Sequence, residues 1–162
     1  MTRHAAGLFC INRDSVMNRS CRVGLALALA LSAAVAPAAI AADLTVTVKQ
    51  VRDGAGSVRI VLYDSAASFL KPPLAKAAQQ AKASSGEVRF VLHDLPAGTY
   101  AIGSFHDESN IGRIEFGPLG VPLQGYGFSN DALGTEGPPS FANAAFEFDG
   151  KTDKAISFSL NY

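Results

Sequence analysis

The 162-residue chain has no tryptophan, and its two cysteines, Cys10 and Cys21, both lie close to the start. Both precede an expected cleavage point near residue 41, so the released product has neither a disulfide nor a thiol nucleophile. Histidine is scarce too: His93 and His106 are the only two beyond that point, and two histidines without cysteine rarely complete a zinc shell. Positive charge is not in excess. From Ala42 onward, 10 lysines and arginines face 13 aspartates and glutamates, a net of −3. With no basic patch, nucleic acid and anionic membrane are poor partners. No strongly amphipathic helix, nucleophile elbow, internal repeat or charge run is found either.

The first segment has the layout of an export leader. Met17-Asn18-Arg19-Ser20-Cys21-Arg22 precedes an apolar run from Val23 to Val35, and Ala39-Ile40-Ala41 supplies the small-x-small cleavage pattern. Met17 reads as the better start, because it places Arg19 and Arg22 directly ahead of the apolar run. That run is shorter than the ~20 residues a membrane span needs. Cys21 precedes the run rather than following it, unlike a lipid-anchored precursor. The expectation is therefore residues 1–41 as extension and cleaved signal peptide, residues 42–162 as one domain, and a periplasmic or secreted product with no membrane span after cleavage.

What the mature part does have is alternation. Leu44, Val46 and Val48 face away from Thr45, Thr47 and Lys49, and the same period recurs at Val58, Ile60 and Leu62, at Val88, Phe90 and Leu92, and at Ile156, Phe158 and Leu160. Phe146 and Phe148 add a short strand, and Thr99 to Phe105 reads as another after the Leu95-Pro96-Ala97-Gly98 turn. Asp53-Gly54-Ala55-Gly56 reads as a hairpin connection. Asp64 to Ser85 stays open: Pro72-Pro73 followed by an alanine, lysine and glutamine run suits either one helix or a loop feeding an edge strand near residues 80–83. The sum is an all-β antiparallel sandwich of six to seven strands with one long ordered loop.

That loop holds the clustered polar chemistry. His106, Asp107, Glu108, Ser109 and Asn110 are followed by Gly112 and Glu115, then by Gln124-Gly125-Tyr126-Gly127-Phe128-Ser129-Asn130. The order HDES-x-x-G-x-x-E, LGVP, QGYGFSN and PPSFANA-x-F resembles the uncharacterised bacterial exported family known as domain of unknown function 2141, over about Leu44 to Tyr162. The resemblance implies a fold and a location more than an activity. The corner LPAGTY is similar to that of transthyretin-like and carboxypeptidase-regulatory-like sandwiches, which implies an immunoglobulin-like or transthyretin-like architecture with the tyrosine across the corner.

Three chemistries suit the loop. Asp107, Ser109 and Glu115 around Gly112 have the oxygen spacing of a calcium loop, although the resembled family often carries Asp-x-Asn-x-Asn-Gly-x-x-Asp, and here Ser109 and Ile111 replace two ligands. The competing reading has Asp107, Ser109 and Asn110 capping loop amides, and it is preferred. His106 and Asp107 could serve a hydrolase of the transthyretin-related type, but those enzymes end in Tyr-Arg-Gly-Ser where this chain ends Ser-Leu-Asn-Tyr, and neighbouring strand residues point to opposite faces. Tyr126, Phe128 and Phe141 could offer an aromatic platform or pin the loop to the core, and pinning is preferred in a chain without tryptophan. The resulting expectation is a non-catalytic binding or envelope-associated module. Its ligand-binding loop comprises His106, Asp107, Glu108, Asn110, Tyr126, Phe128 and Asn130, and its partner is an envelope protein or glycan. No catalytic residue or cofactor is assigned, and calcium at Asp107, Ser109 and Glu115 is the alternative.

Overall fold

The structure, a computed structural model, describes residues 42–162. The expected leader and its cleavage motif lie outside the described residues. In chain order the elements are β1 (Ala42–Val51), β2 (Ser57–Tyr63), β3 (Ala77–Lys82), β4 (Gly86–Leu95), β5 (Gly98–Asp107), β6 (Tyr126–Phe128), the short helix α1 (Phe141–Ala144), β7 (Phe146–Phe148) and β8 (Lys154–Ser159). One sheet runs β4-β1-β8 and the other β3-β2-β5-β6, with β7 also on β5. The fold is an all-β sandwich, antiparallel throughout these pairs except for the parallel pair β1 and β8.

Alternation drives this architecture. Leu44, Val46 and Val48 of β1, Val58, Ile60 and Leu62 of β2, and Val88, Phe90 and Leu92 of β4 all turn into one core, with Ile102, Phe158 and Leu160. Each such burial is worth about 1.5–3 kcal/mol against leaving the side chain in water, before ordering costs are counted. The corner between β4 and β5 is held as its sequence suggests: buried Tyr100 donates its hydroxyl to the Pro96 carbonyl at 3.0 Å.

Two sequence expectations change and one open alternative is decided. Asp53 to Gly56 is not a hairpin, because β1 and β2 lie in different sheets and the turn crosses between them. Gly56 there has φ 63°, and a Cβ on it would fall on the Asp107 carbonyl. The open segment resolves as a 3₁₀ turn at Pro72–Leu74 followed by edge strand β3. Helix propensity loses because a helix would have no apolar stripe to bury, whereas as a strand Ala77 and Ala81 reach the core and Gln79 Nε2 donates to the Val91 carbonyl of β4 at 3.1 Å. Finally, Tyr126 to Phe128 is not loop: it returns to the sheet as β6, with Phe105 opposite Tyr126 and Gly103 opposite Phe128.

The outer face of the larger sheet carries a second cluster. Tyr63, Ala101 and Phe128 pack with Phe69, Ala132 and Ala144. Phe69 is its hinge, meeting Tyr63 edge-on at 5.5 Å and Phe141 at 5.8 Å between ring centroids. This cluster ties the long connection between β5 and β7 back onto the sheet. Buried Ser129 completes the tie: its Oγ accepts from the Ile102 amide and donates to the Ala144 carbonyl, filling the ladder position on β5 between β6 and β7.

Candidate functional site

Because β5 runs on through Asp107, the strand alternation holds for His106 and Asp107 and sends them to opposite faces. Both are fully buried. His106 points inward at the end of the sandwich, where Nε2 lies 2.7 Å from the Ala55 carbonyl and Nδ1 lies 2.8 Å from the Tyr162 hydroxyl. A carbonyl only accepts, so Nε2 carries a proton and donates to Ala55, while Nδ1 and the Tyr162 phenol share the second hydrogen bond. The same hydroxyl accepts from the Arg52 amide at 2.9 Å. Burial raises the Tyr162 hydroxyl above its ordinary range, which keeps it a donor.

Two carboxylates flank this histidine. Glu108 Oε1 is 3.6 Å from Nδ1 and Asp53 Oδ1 is 3.9 Å from Nε2. Asp53, His106 and Glu108 together bring candidate ligand atoms within 4.8 Å of one another. Each carboxylate also accepts a hydrogen bond from the protein: Asp53 Oδ1 takes the Ala55 amide at 2.8 Å. Glu108 bonds the Arg52 guanidinium at 2.7 Å, and that guanidinium also sits 4.3 Å over the Tyr162 ring. Arg52, Asp53 and Tyr162 were not legible as neighbours of His106, since they lie more than 50 positions away in the chain and no local pattern marks them.

Asp107 points outward and is held by three donors. Arg59 Nε donates to Oδ2 at 2.9 Å, the Gly112 amide donates to Oδ2 at 2.7 Å, and the Ile111 amide donates to Oδ1 at 2.9 Å. Burial alone would raise this carboxyl, but the two amides and the Arg59 guanidinium outweigh it and hold the group below its ordinary value. Of the residues weighed for calcium, Asp107 accepts from the Arg59 guanidinium, Ser109 lies exposed in the turn, and the Glu115 backbone amide donates to Gln124 Oε1. Capping of loop amides falls to Asp107, while Asn110 makes the turn itself at φ 53°.

The remaining expected residues gather elsewhere, on the outer face of the larger sheet. After Gly112 the chain makes a small hairpin, with Phe116 bridged to Pro122 and the Gly117 amide bonded to the Val121 carbonyl. This hairpin and the connection around residues 134–138 wall a groove of about 530 Å³, floored by Val61, Gly103, Phe105 and Tyr126. Phe128 lines its inner end and is also part of the Phe69 cluster. Tyr126 and Phe128 pack with the Phe69 cluster, the role preferred for them, and they also line the groove. Asn130, at φ 62°, donates to the Asn143 and Ala145 carbonyls and shapes the connection without reaching the groove lining. His106, Asp107, Glu108 and Asn110 are likewise outside that lining. Sequence reading missed Phe116, Leu119 and Val121, which stand on the groove wall; an exposed position for three large apolar residues in six is visible only once the hairpin is built.

A family model described as "Uncharacterized protein conserved in bacteria (DUF2141)" matches residues 46–156. No curated protein and no solved structure matches the chain.

Proposed function

The chain belongs to that family of uncharacterised bacterial proteins, and from this premise we propose that it is an exported, non-catalytic binding module of the bacterial envelope, periplasmic or secreted, whose ligand sits against the long connection between Phe105 and Phe146. The observation that carries the reading is where apolar surface is left in water. Of the nine large hydrophobic residues exposed among the described residues, six lie in that connection: Ile111, Phe116, Leu119, Val121, Leu123 and Leu133. Three of them, Phe116, Leu119 and Val121, line the groove, and exposed apolar side chains clustered on a groove wall mark a binding surface, whereas scattered ones do not. Export rests on the leader layout of residues 17–41.

The hydrogen-bond partners of His106 and Asp107 favour binding over hydrolysis. Both nitrogens of His106 and both oxygens of Asp107 are committed to the protein's own groups, on opposite faces of β5. The experiment is expression of the full chain in a bacterium, followed by fractionation and native mass spectrometry of the released protein. The expected outcome is a periplasmic or secreted product beginning near Ala42 that retains an added mass, or gains one on incubation with envelope extract. A Leu119→Ser, Leu123→Ser variant loses that mass. Retention in the cytoplasm, or a wild type that takes up nothing from the extract, would overturn the reading.

A further inference from the structure

Building on that binding role, we infer that the groove on the outer face of the larger sheet takes one small, uncharged, largely apolar molecule, and that the hairpin from Phe116 to Pro122 covers it.

The floor supplies the first reason. Gly103 sits in the middle of central strand β5 with no unusual backbone angle, and a Cβ there would make only ordinary contacts, 3.6 Å to Phe128 and 3.9 Å to Leu70. Neither conformation nor crowding requires glycine at this position. In a strand interior glycine weakens the sheet and leaves room for something to approach the backbone closely. At Gly103 the missing side chain deepens the groove between Val61, Phe105 and Tyr126. Its volume, about 530 Å³, falls within the range that suits a single small molecule.

The walls supply the second. Phe116 and Val121 are each 58% exposed and Leu119, at the hairpin tip, is 91% exposed. An occupant of the groove would remove this apolar surface from water, at about 25 cal/mol for each Å² covered. Charge supplies the third. Among the described residues that line the groove, Glu136 alone is ionisable to a charged form near neutral pH, and it stands exposed at the rim. A ligand carboxylate would enter an apolar slot with no cation to meet it and with a like charge at the mouth. An alcohol, ether or hydrocarbon of the same size would not.

The test uses the mature protein and the neutral fluorophore N-phenyl-1-naphthylamine, displaced at pH 8 by 1-decanol or by decanoate. Wild type is expected to enhance the fluorescence saturably, with 1-decanol displacing the probe at concentrations at least fivefold below decanoate. Gly103→Leu fills the floor and should weaken probe binding at least tenfold while thermal melting shows a folded protein. If that variant fails to fold, Phe116→Ser with Val121→Ser, both on exposed positions, serves in its place. Leu74→Ser, exposed but away from the lining, should change nothing. Decanoate binding as tightly as 1-decanol overturns the uncharged class but leaves the envelope-binding reading standing. Probe binding unaffected by the floor and wall variants overturns the groove. A wild type that ignores the probe and 1-decanol sinks this inference, and mass retained from envelope extract then decides the broader reading separately.

Discussion

Asp107→Asn is the sharpest probe of how the loop after β5 is held. The wild-type carboxylate is fully buried and accepts from Arg59 Nε, the Gly112 amide and the Ile111 amide. Asparagine keeps the shape but has one acceptor oxygen. Placed at the Oδ2 position it retains Arg59 and Gly112, and its amide then confronts the Ile111 N–H donor to donor. Hydrogen bonds to a charged group are worth about 1.5–3 kcal/mol each, so losing one outright and weakening two gives about 2–4 kcal/mol. Arg59 keeps some access to water, which holds the figure below that for a fully buried broken pair. For a domain of this size the melting point should fall by about 8–15 °C. The pH dependence fixes the cause. The folded-state pKa of Asp107 is depressed below its ordinary 3.8, so its contribution is fully present above that value and is lost as pH falls through the lower folded value. The gap between wild type and Asp107→Asn should therefore be constant from pH 7 to about 5 and should close in strong acid. Urea unfolding followed by circular dichroism at pH 7 and near pH 2.5 measures both. A change under about 1 kcal/mol at neutral pH, or a gap that widens in acid, would refute the assignment of Asp107 as the anchor of this loop.

Three further outcomes follow from the same contacts. Tyr100→Phe keeps the ring against Phe146 but loses the bond to the Pro96 carbonyl, so urea unfolding should register about 1 kcal/mol of destabilisation without a change in slope. Gly127→Ala drives a Cβ onto the Ser159 carbonyl, a backbone atom that cannot step aside, and should cost about 2 kcal/mol or more, while Gly103→Ala should stay within about 1 kcal/mol of wild type; a pair of melts separates the two glycines. Ser129→Ala leaves the buried Ile102 amide without its acceptor, which should cost about 1–3 kcal/mol and speed hydrogen exchange at that amide relative to its neighbours in β5.

The sandwich was legible because a period of two is a local property. Each of Leu44, Val46 and Val48, or Val58, Ile60 and Leu62, declares its buried face from its immediate neighbours, and the LPAGTY corner carries its own turn chemistry. Segments whose partner lies far away were not legible. The β3 segment stays open between helix and edge strand until β2 offers it a ladder, and Asp53 to Gly56 reads as a hairpin until β1 and β2 are seen to choose different sheets. The loop after β5 could be recognised as polar and special, but which of its atoms remain free could not be known without Arg59, Tyr162 and Ala55 in place.

By itself, then, the sequence determined an all-β domain with buried alternating faces, a tyrosine corner and a polar turn after the central strand, because burial in a sheet depends on neighbours two positions apart. Tertiary structure alone decided which groups occupy His106 and Asp107, and that Gly103 and the Phe116 to Pro122 hairpin line one groove. Those arrangements join residues tens of positions apart through packing, and no local pattern encodes them.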